Sequence, residues 1–197
     1  MSLRFRWLQL DVFSAHLFAG NPLAVVVAAA ALDATQMQRI ARWTNLSETA
    51  FLLPPTQVTA DYRVRIFTPR QELPFAGHPS VGSAWVALES GVVPADRTRL
   101  VQECAAGSLP VRVDGHGPAR RIHVQAPVAS VRPCASDVAE RLSTALQVRL
   151  GAGNLREVDN GPRWLVCDLE QATVVRALHP DLAALAALSV DCAVIGA

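Results

Sequence analysis

Glu72 to Leu88 reads E-L-P-F-A-G-H-P-S-V-G-S-A-W-V-A-L, and no formal charge interrupts it until Glu89. Val81, Ala84, Trp85 and Leu88 fall at i, i+3, i+4 and i+7, the spacing of one helix face. The opposite face offers only Gly82, Ser83, Val86 and Ala87. No side of such a helix suits bulk water, so the pattern predicts a helix over about 79–90 that is buried all round. Pro79 fits the first helical position, where its missing N–H costs nothing, and Gly91 fits the C-terminal stop. The free N–H groups of Ser80 and Val81 would then face outward beside Gly77, which forms an anion site. The alternative is a core helix with a tidy start and no ligand.

Outward from this helix the chain reads as many short strands. Phe5–Phe13, Leu23–Ala29, Asn45–Pro54, Tyr62–Phe67, Arg99–Cys104, Leu109–Val113 and Arg121–Gln125 have strand character, with Gly107 and the Asp114–Pro118 cluster as turns. Asp33 with Gln36 forms a capping box for a helix that buries Met37, Ile40 and Ala41. One long buried helix among many short strands predicts a sheet curled around it. Pro127 to Pro133 reads as a linker, and Ser136 as the cap of a helix with Val138, Leu142, Ala145 and Leu146 inward.

The remainder repeats the beginning. Asn160-Gly161-Pro162 precedes the apolar run Trp164–Leu169 as Gly20-Asn21-Pro22 precedes Leu23–Ala29. A helix around Asp181–Leu188 follows as the Asp33 helix does, and Asp191–Ala197 takes the place of the Glu48 strand. The reading is a first lobe of residues 1–127 and a partial second lobe of residues 128–197 without its own central helix. The apolar surface that such a lobe leaves exposed predicts a homodimer.

Composition limits the partners. The chain has 197 residues, 51% of them hydrophobic, and a formal net charge of +1. Scattered Lys and Arg without a basic stripe argue against nucleic acid. The longest apolar run, Leu23–Leu32, is too short for a bilayer, and the N-terminus does not resemble a secretory signal, so a cytoplasmic protein with no membrane partner is expected. Cys104, Cys134, Cys167 and Cys192 lie far apart, and the five histidines form no H-x-x-x-H or H-x-H pair, so no metal is expected. Gly77–Gly82 is one residue too long for a G-x-S-x-G elbow, and Gly151–Arg156 begins like G-x-G-x-x-G but ends in arginine. Neither a nucleophile nor a nucleotide cofactor is implied.

Two residues carry acid/base chemistry. Glu48, set in L-S-E-T-A-F, is a carboxylate among apolar neighbours and costly to ionise without partners, which suits general acid/base work. The plainer alternative is a structural carboxylate that accepts from Ser47, Thr49 or backbone. His78, just before the expected helix start, feels the positive end of the dipole and tends to be neutral there. Its plainer role is helix capping.

The segments D-V-F, G-N-P-L-A-V-V, N-L-S-E-T-A-F and R-I-F-T-P-R-Q-E-L-P-F-A-G-H-P-S-V-G-S-A-W closely resemble the phenazine-biosynthesis PhzF-like family, strongly over Leu8–Glu103 and weakly beyond. The resemblance implies an α+β, diaminopimelate-epimerase-like fold: two pseudo-repeated lobes, each a curled, mostly antiparallel sheet wrapped around a central helix, here with the second lobe incomplete. It implies a cofactor-independent isomerase acting on a small cyclic or aromatic-precursor carboxylate. Glu48 matches the acid/base glutamate and His78 the histidine of A-G-H-P. Gly77, Ser80, Val81, Asn21 and Ser47 are the substrate-binding candidates.

Related epimerases hold a catalytic cysteine at the place of Ala76, and alanine cannot take a proton, so a two-cysteine racemase is argued against. Family members usually continue to a G-x-x-E-D-P-A-T-G-S-A-like stretch that begins the second central helix. Nothing in residues 154–197 matches it. Truncation, supply of that half by another chain, or lost activity are the three explanations. The isolated chain is then expected to have weak catalysis at most, or to be a non-catalytic small-acid-binding protein.

Overall fold

The computed structural model describes residues 4–151, 153–189 and 191–197, and of Pro118 the backbone alone. Ala152, inside the Gly151–Arg156 stretch weighed as a phosphate loop, lies outside them. The chain divides into two units, Met1–Pro127 and Val128–Ala197.

The first unit runs β1 (Arg6–Val12), β2 (Asn21–Val27), α1 (Ala34–Thr44), β3 (Glu48–Leu53), β4 (Tyr62–Phe67), β5 (Glu72–Leu73), α2 (Gly77–Glu89), β6 (Arg99–Cys104), β7 (Gly107–Asp114) and β8 (Arg121–Val124). Its strands form one sheet in the order β1-β2-β3-β4-β6-β7-β8, with β5 paired to β4. The β2–β3 and β4–β6 pairs are parallel and the rest antiparallel. Helix α2 touches β1 and β8, the two ends of that order, as well as β2, β3 and β4. A sheet whose two edges meet one helix is curled around it.

Side-chain parity explains the apolar runs. Along a strand, successive side chains point to opposite faces. Leu23, Val25 and Val27 of β2, Ala50 and Leu52 of β3, and Tyr62, Val64 and Ile66 of β4 face the core that holds Ala84, Val86, Ala87 and Leu88 of α2. Val26, Phe51, Leu53 and Phe67 face the other way, onto Met37 and Ala41 of α1. Strands covered on both faces read as continuous hydrophobic sequence, as N-P-L-A-V-V-V and E-T-A-F-L-L do. Helix α1 carries the expected capping box between Asp33 and Gln36.

Several expectations need correction. Helix α2 begins at Gly77, with Ala76 as its N-cap, so Pro79 is the third helical residue and not the first. The first four N–H groups of a helix all lack intrahelical partners, so proline is as harmless there. The helix is also not buried all round: Gly77 and Glu89 are exposed and Val81 and Trp85 half-buried, which leaves one i, i+4 stripe open within this unit. Strand β2 stops at Val27, because Ala28 adopts a left-handed conformation (φ 56°) and leads into a short 3-10 turn, Ala29–Ala31.

The second unit runs β9 (Ser130–Pro133), α3 (Ser136–Leu146), β10 (Leu155–Asp159), β11 (Arg163–Asp168), α4 (Ala172–Arg176), α5 (Leu182–Ala187) and β12 (Asp191–Ile195). The stretch read as a linker therefore ends in an edge strand, exposed throughout, that among the described residues pairs only with β10. Ser136 is the first helical residue and Ala135 the cap position, with no side-chain capping bond. Leu142, Leu146, Leu155, Leu165, Cys167, Leu169 and Leu188 form a core of their own. The antiparallel pair β10–β11, the helical crossover and the parallel pair β11–β12 repeat the order of β1–β2, α1 and β2–β3. In that repeat Asp191, the first residue of β12, stands where Glu48 stands in β3.

Candidate active site

Strand register brings the acid/base candidates together. Asn21 and Glu48 open two adjacent parallel strands, and each has the parity of the residues that face α2. The start of α2 brings His78 to the same place. His78 Nε2 lies 3.4 Å from Glu48 Oε2. On the other side of the ring, Asn21 Nδ2 lies 3.2 Å from His78 Nδ1, and the Ser47 hydroxyl donates to Asn21 Oδ1 at 3.3 Å. The series Ser47–Asn21–His78–Glu48 lies wholly in the first unit.

The pair at its centre is desolvated. The His78 side chain is 7% exposed and that of Glu48 17%. His78 Nε2 and Glu48 Oε2 are both shielded from solvent, and neither makes a well-aligned hydrogen bond, although they face each other. Burial pushes the His78 imidazole below its ordinary value, and the Glu48 charge opposes that shift in part. A neutral imidazole at neutral pH follows.

The helix start differs from expectation in its donors. Ser80 is fully buried; its N–H donates to the Ala76 carbonyl at 3.2 Å and its hydroxyl to the same oxygen at 2.8 Å. The N–H groups left open are those of Gly77 and His78, which have no acceptor among the described residues. A Cβ built on Gly77 would meet nothing within 4 Å, so the chain at the helix start is open on that side. Val81 is half-buried on the open stripe next to Gly77.

One supporting network was missed in the sequence. Gln102, fully buried on β6, donates to the Ser80 hydroxyl at 3.0 Å and accepts from the Tyr62 hydroxyl at 3.2 Å. Burial drives the Tyr62 phenol far above its ordinary value, so it acts only as a neutral donor and acceptor. The signal was legible: Gln102 shares the inward face of its strand with Leu100 and Cys104, and a polar residue on an apolar face needs a buried partner.

Other chemistries find less support. Burial pushes the thiols of Cys104, Cys134, Cys167 and Cys192 up, Cys167 to about 11, away from the thiolate a nucleophile needs. Among the described residues no cluster of His, Cys, Asp and Glu could hold a metal ion, and no helix is long and apolar enough to cross a membrane.

Over 182 residues the chain is 40% identical to antisense-enhancing sequence 1 of Schizosaccharomyces pombe, which covers 90% of this chain and 62% of that protein. It is 38% identical over 181 residues to trans-2,3-dihydro-3-hydroxyanthranilate isomerase of Pseudomonas aeruginosa, covering 91% of this chain and 63% of the relative. The chain thus spans under two thirds of the length of these relatives. Among solved structures, one described as a predicted epimerase from Pseudomonas aeruginosa superposes with a TM-score of 0.74 at 28% identity, over 98% of this chain and 70% of that one. A probable proline racemase from Agrobacterium radiobacter shares the fold, with a TM-score of 0.63 at 17% identity over 84% of this chain and 52% of its own. The profile of the phenazine biosynthesis-like proteins matches residues 10–197. The chain belongs to the phenazine biosynthesis-like protein family.

Proposed function

We propose that the first unit carries the proton-transfer half of a cofactor-independent isomerase acting on a small cyclic or aromatic-precursor carboxylate. The observation that carries the reading is the Glu48–His78 pair: two shielded polar atoms 3.4 Å apart, with no other partner, at the start of a helix. Native proteins rarely leave such groups unsatisfied without a use for them. Glu48 is the general acid/base, and His78 is the neutral group that faces it at 3.4 Å. The open N–H groups of Gly77 and His78, at the positive end of α2, receive the substrate carboxylate. Val81 lines the open side, Asn21 and Ser47 border the imidazole, and Ser80 braces the helix start from behind. The name of the isomerase relatives supports this choice of substrate class, since a dihydro-hydroxyanthranilate is a ring carboxylic acid.

The test is turnover of trans-2,3-dihydro-3-hydroxyanthranilate in deuterated water, followed by absorbance and by deuterium in the product. Glu48→Gln keeps the shape of the side chain and removes the transferable proton. Loss of about 10²-fold or more in turnover is expected, the usual range for a positioned acid/base. Parent-like turnover by this variant would sink the reading.

A further inference from the structure

We infer that Asn21, anchored by Ser47, is a positioning residue that fixes the tautomer of His78, with the ring neutral, its proton on Nε2 and Glu48 held opposite as a carboxylate. A neutral imidazole has one N–H and one bare nitrogen, and its neighbours decide which is which. A primary amide has one end that only accepts and one that only donates. Asn21 Oδ1 takes the Ser47 hydroxyl at 3.3 Å, which leaves Nδ2 facing His78 Nδ1 at 3.2 Å. An amide NH₂ can only donate, so Nδ1 must be the bare nitrogen and Nε2 carries the proton. Glu48 Oε2, 3.4 Å away, is the acceptor nearest that N–H, although the two are not aligned as a hydrogen bond, and Nε2 has no other hydrogen-bond partner among the described residues.

The reverse arrangement can be stated and weighed. With the Asn21 amide turned over, Nδ1–H would donate to Oδ1, and the bare Nε2 would face Glu48. Two lone pairs at that distance repel unless Glu48 itself holds a proton. The first state holds one proton, on His78 Nε2, and the reverse state holds two, on His78 Nδ1 and Glu48 Oε2, so reaching it takes up a proton from solvent. The positive end of α2 decides between them, because it favours a carboxylate beside it. Burial of the ring, which disfavours imidazolium, removes the doubly protonated form at neutral pH.

The catalytic consequence rests on the proton-transfer reading: Glu48 would wait as a base, with the Nε2–H of His78 facing it at 3.4 Å. The tautomer itself does not depend on turnover, and the experiment separates the two. Histidine ¹⁵N NMR on the whole chain at neutral pH, with the His78 signals assigned by His78→Gln, reads the protonation of each ring nitrogen directly. The expected result is a protonated Nε2 and a bare Nδ1. A protonated Nδ1 with a bare Nε2 overturns the inference without any variant. Asn21→Asp replaces the donor by an acceptor and is expected to move a proton onto Nδ1. Ser47→Ala, at an exposed position, is expected to weaken the bias, so that the two nitrogen signals move toward each other. Unchanged signals in both variants overturn the roles of Asn21 and Ser47. An inactive chain that shows the expected tautomer counts against the isomerase reading alone.

Discussion

Two carboxylates in the first unit show opposite ways of handling a charge taken out of water. Glu103 accepts from the Thr56 hydroxyl and, at 2.7 and 3.1 Å, from the N–H groups of Thr56 and Gln57. Burial pushes its carboxyl up, but these three donors and the Arg63 charge outweigh that and hold it below the usual carboxylate range. Glu48 Oε2 has no comparable set of donors and faces only His78. The first carboxylate is surrounded by donors and the second is left without them. The sign of the pH effect follows from the direction of the Glu103 shift. A depressed carboxyl contributes stability that is complete above its unfolded value, about 4.3, and is lost as pH falls through the folded value. Urea unfolding as a function of pH tests this with Glu103→Gln. The variant is expected to lose stability at neutral pH and to converge with the parent in acid, and parallel curves for the two proteins would refute the assignment. Sequence gave no hint of this site, because Thr56 and Glu103 are 47 positions apart and neither sits in a recognisable pattern.

At the level of elements, α2 is tied to the sheet through Gly82. A Cβ there would lie 2.4 Å from Leu23 Cδ2 and within 3.2 and 3.3 Å of Val12 and Leu10 side-chain atoms. Leu23 is fully buried and has little room to yield. Alanine in place of glycine favours a helix by about 1 kcal/mol, and overpacking a core costs about 1–3 kcal/mol. Gly82→Ala is therefore expected to destabilise by about 1 kcal/mol or more in denaturant unfolding, against its helix propensity. Gly77→Ala meets nothing and is expected to stay within about 0.5 kcal/mol of the parent. If Gly77 is where the substrate carboxylate approaches, the same variant raises KM while stability stays put; equal losses of stability in the two variants would show that space does not separate them.

The pair also marks what was legible. The helix and its stop at Gly91, where φ is 75°, could be read from residue spacing. Strands β4 and β6 and the Asp33–Gln36 box could be read in the same way. The start of α2 two residues before Pro79 was not, since proline is equally acceptable at the first and third helical positions. Strand β9 was hidden because only its neighbour β10 gives it a register. Glu48 and His78 stood out as residue types, but their meeting depended on the β2–β3 register and on where α2 begins.

At the scale of the whole molecule, every residue assigned to the site belongs to the first unit. That unit has two cores of its own, one between the curled sheet and α2 and one between the same sheet and α1. The second unit has a separate core, to which α3, β10 and β11 contribute. Between the two, Gln125, Ala126 and Val128–Ser130 are exposed. A unit that buries its own apolar faces meets the requirement for independent folding, and about 127 residues fall in the ordinary size range of a domain. Limited proteolysis is therefore expected to cut first between Gln125 and Pro133, where exposed backbone meets the lone ladder of β9. A chain ending at Pro127 is expected to unfold cooperatively and to keep the His78 nitrogen signals of the full chain, because Ser47, Asn21 and Glu48 all remain. It would then present the Glu48–His78 pair on a folded unit, so that turnover by the short and full chains measures what the second unit adds to catalysis. A non-cooperative short chain, or one whose His78 signals collapse to those of an unfolded histidine, would show that the first unit does not hold its site without the rest.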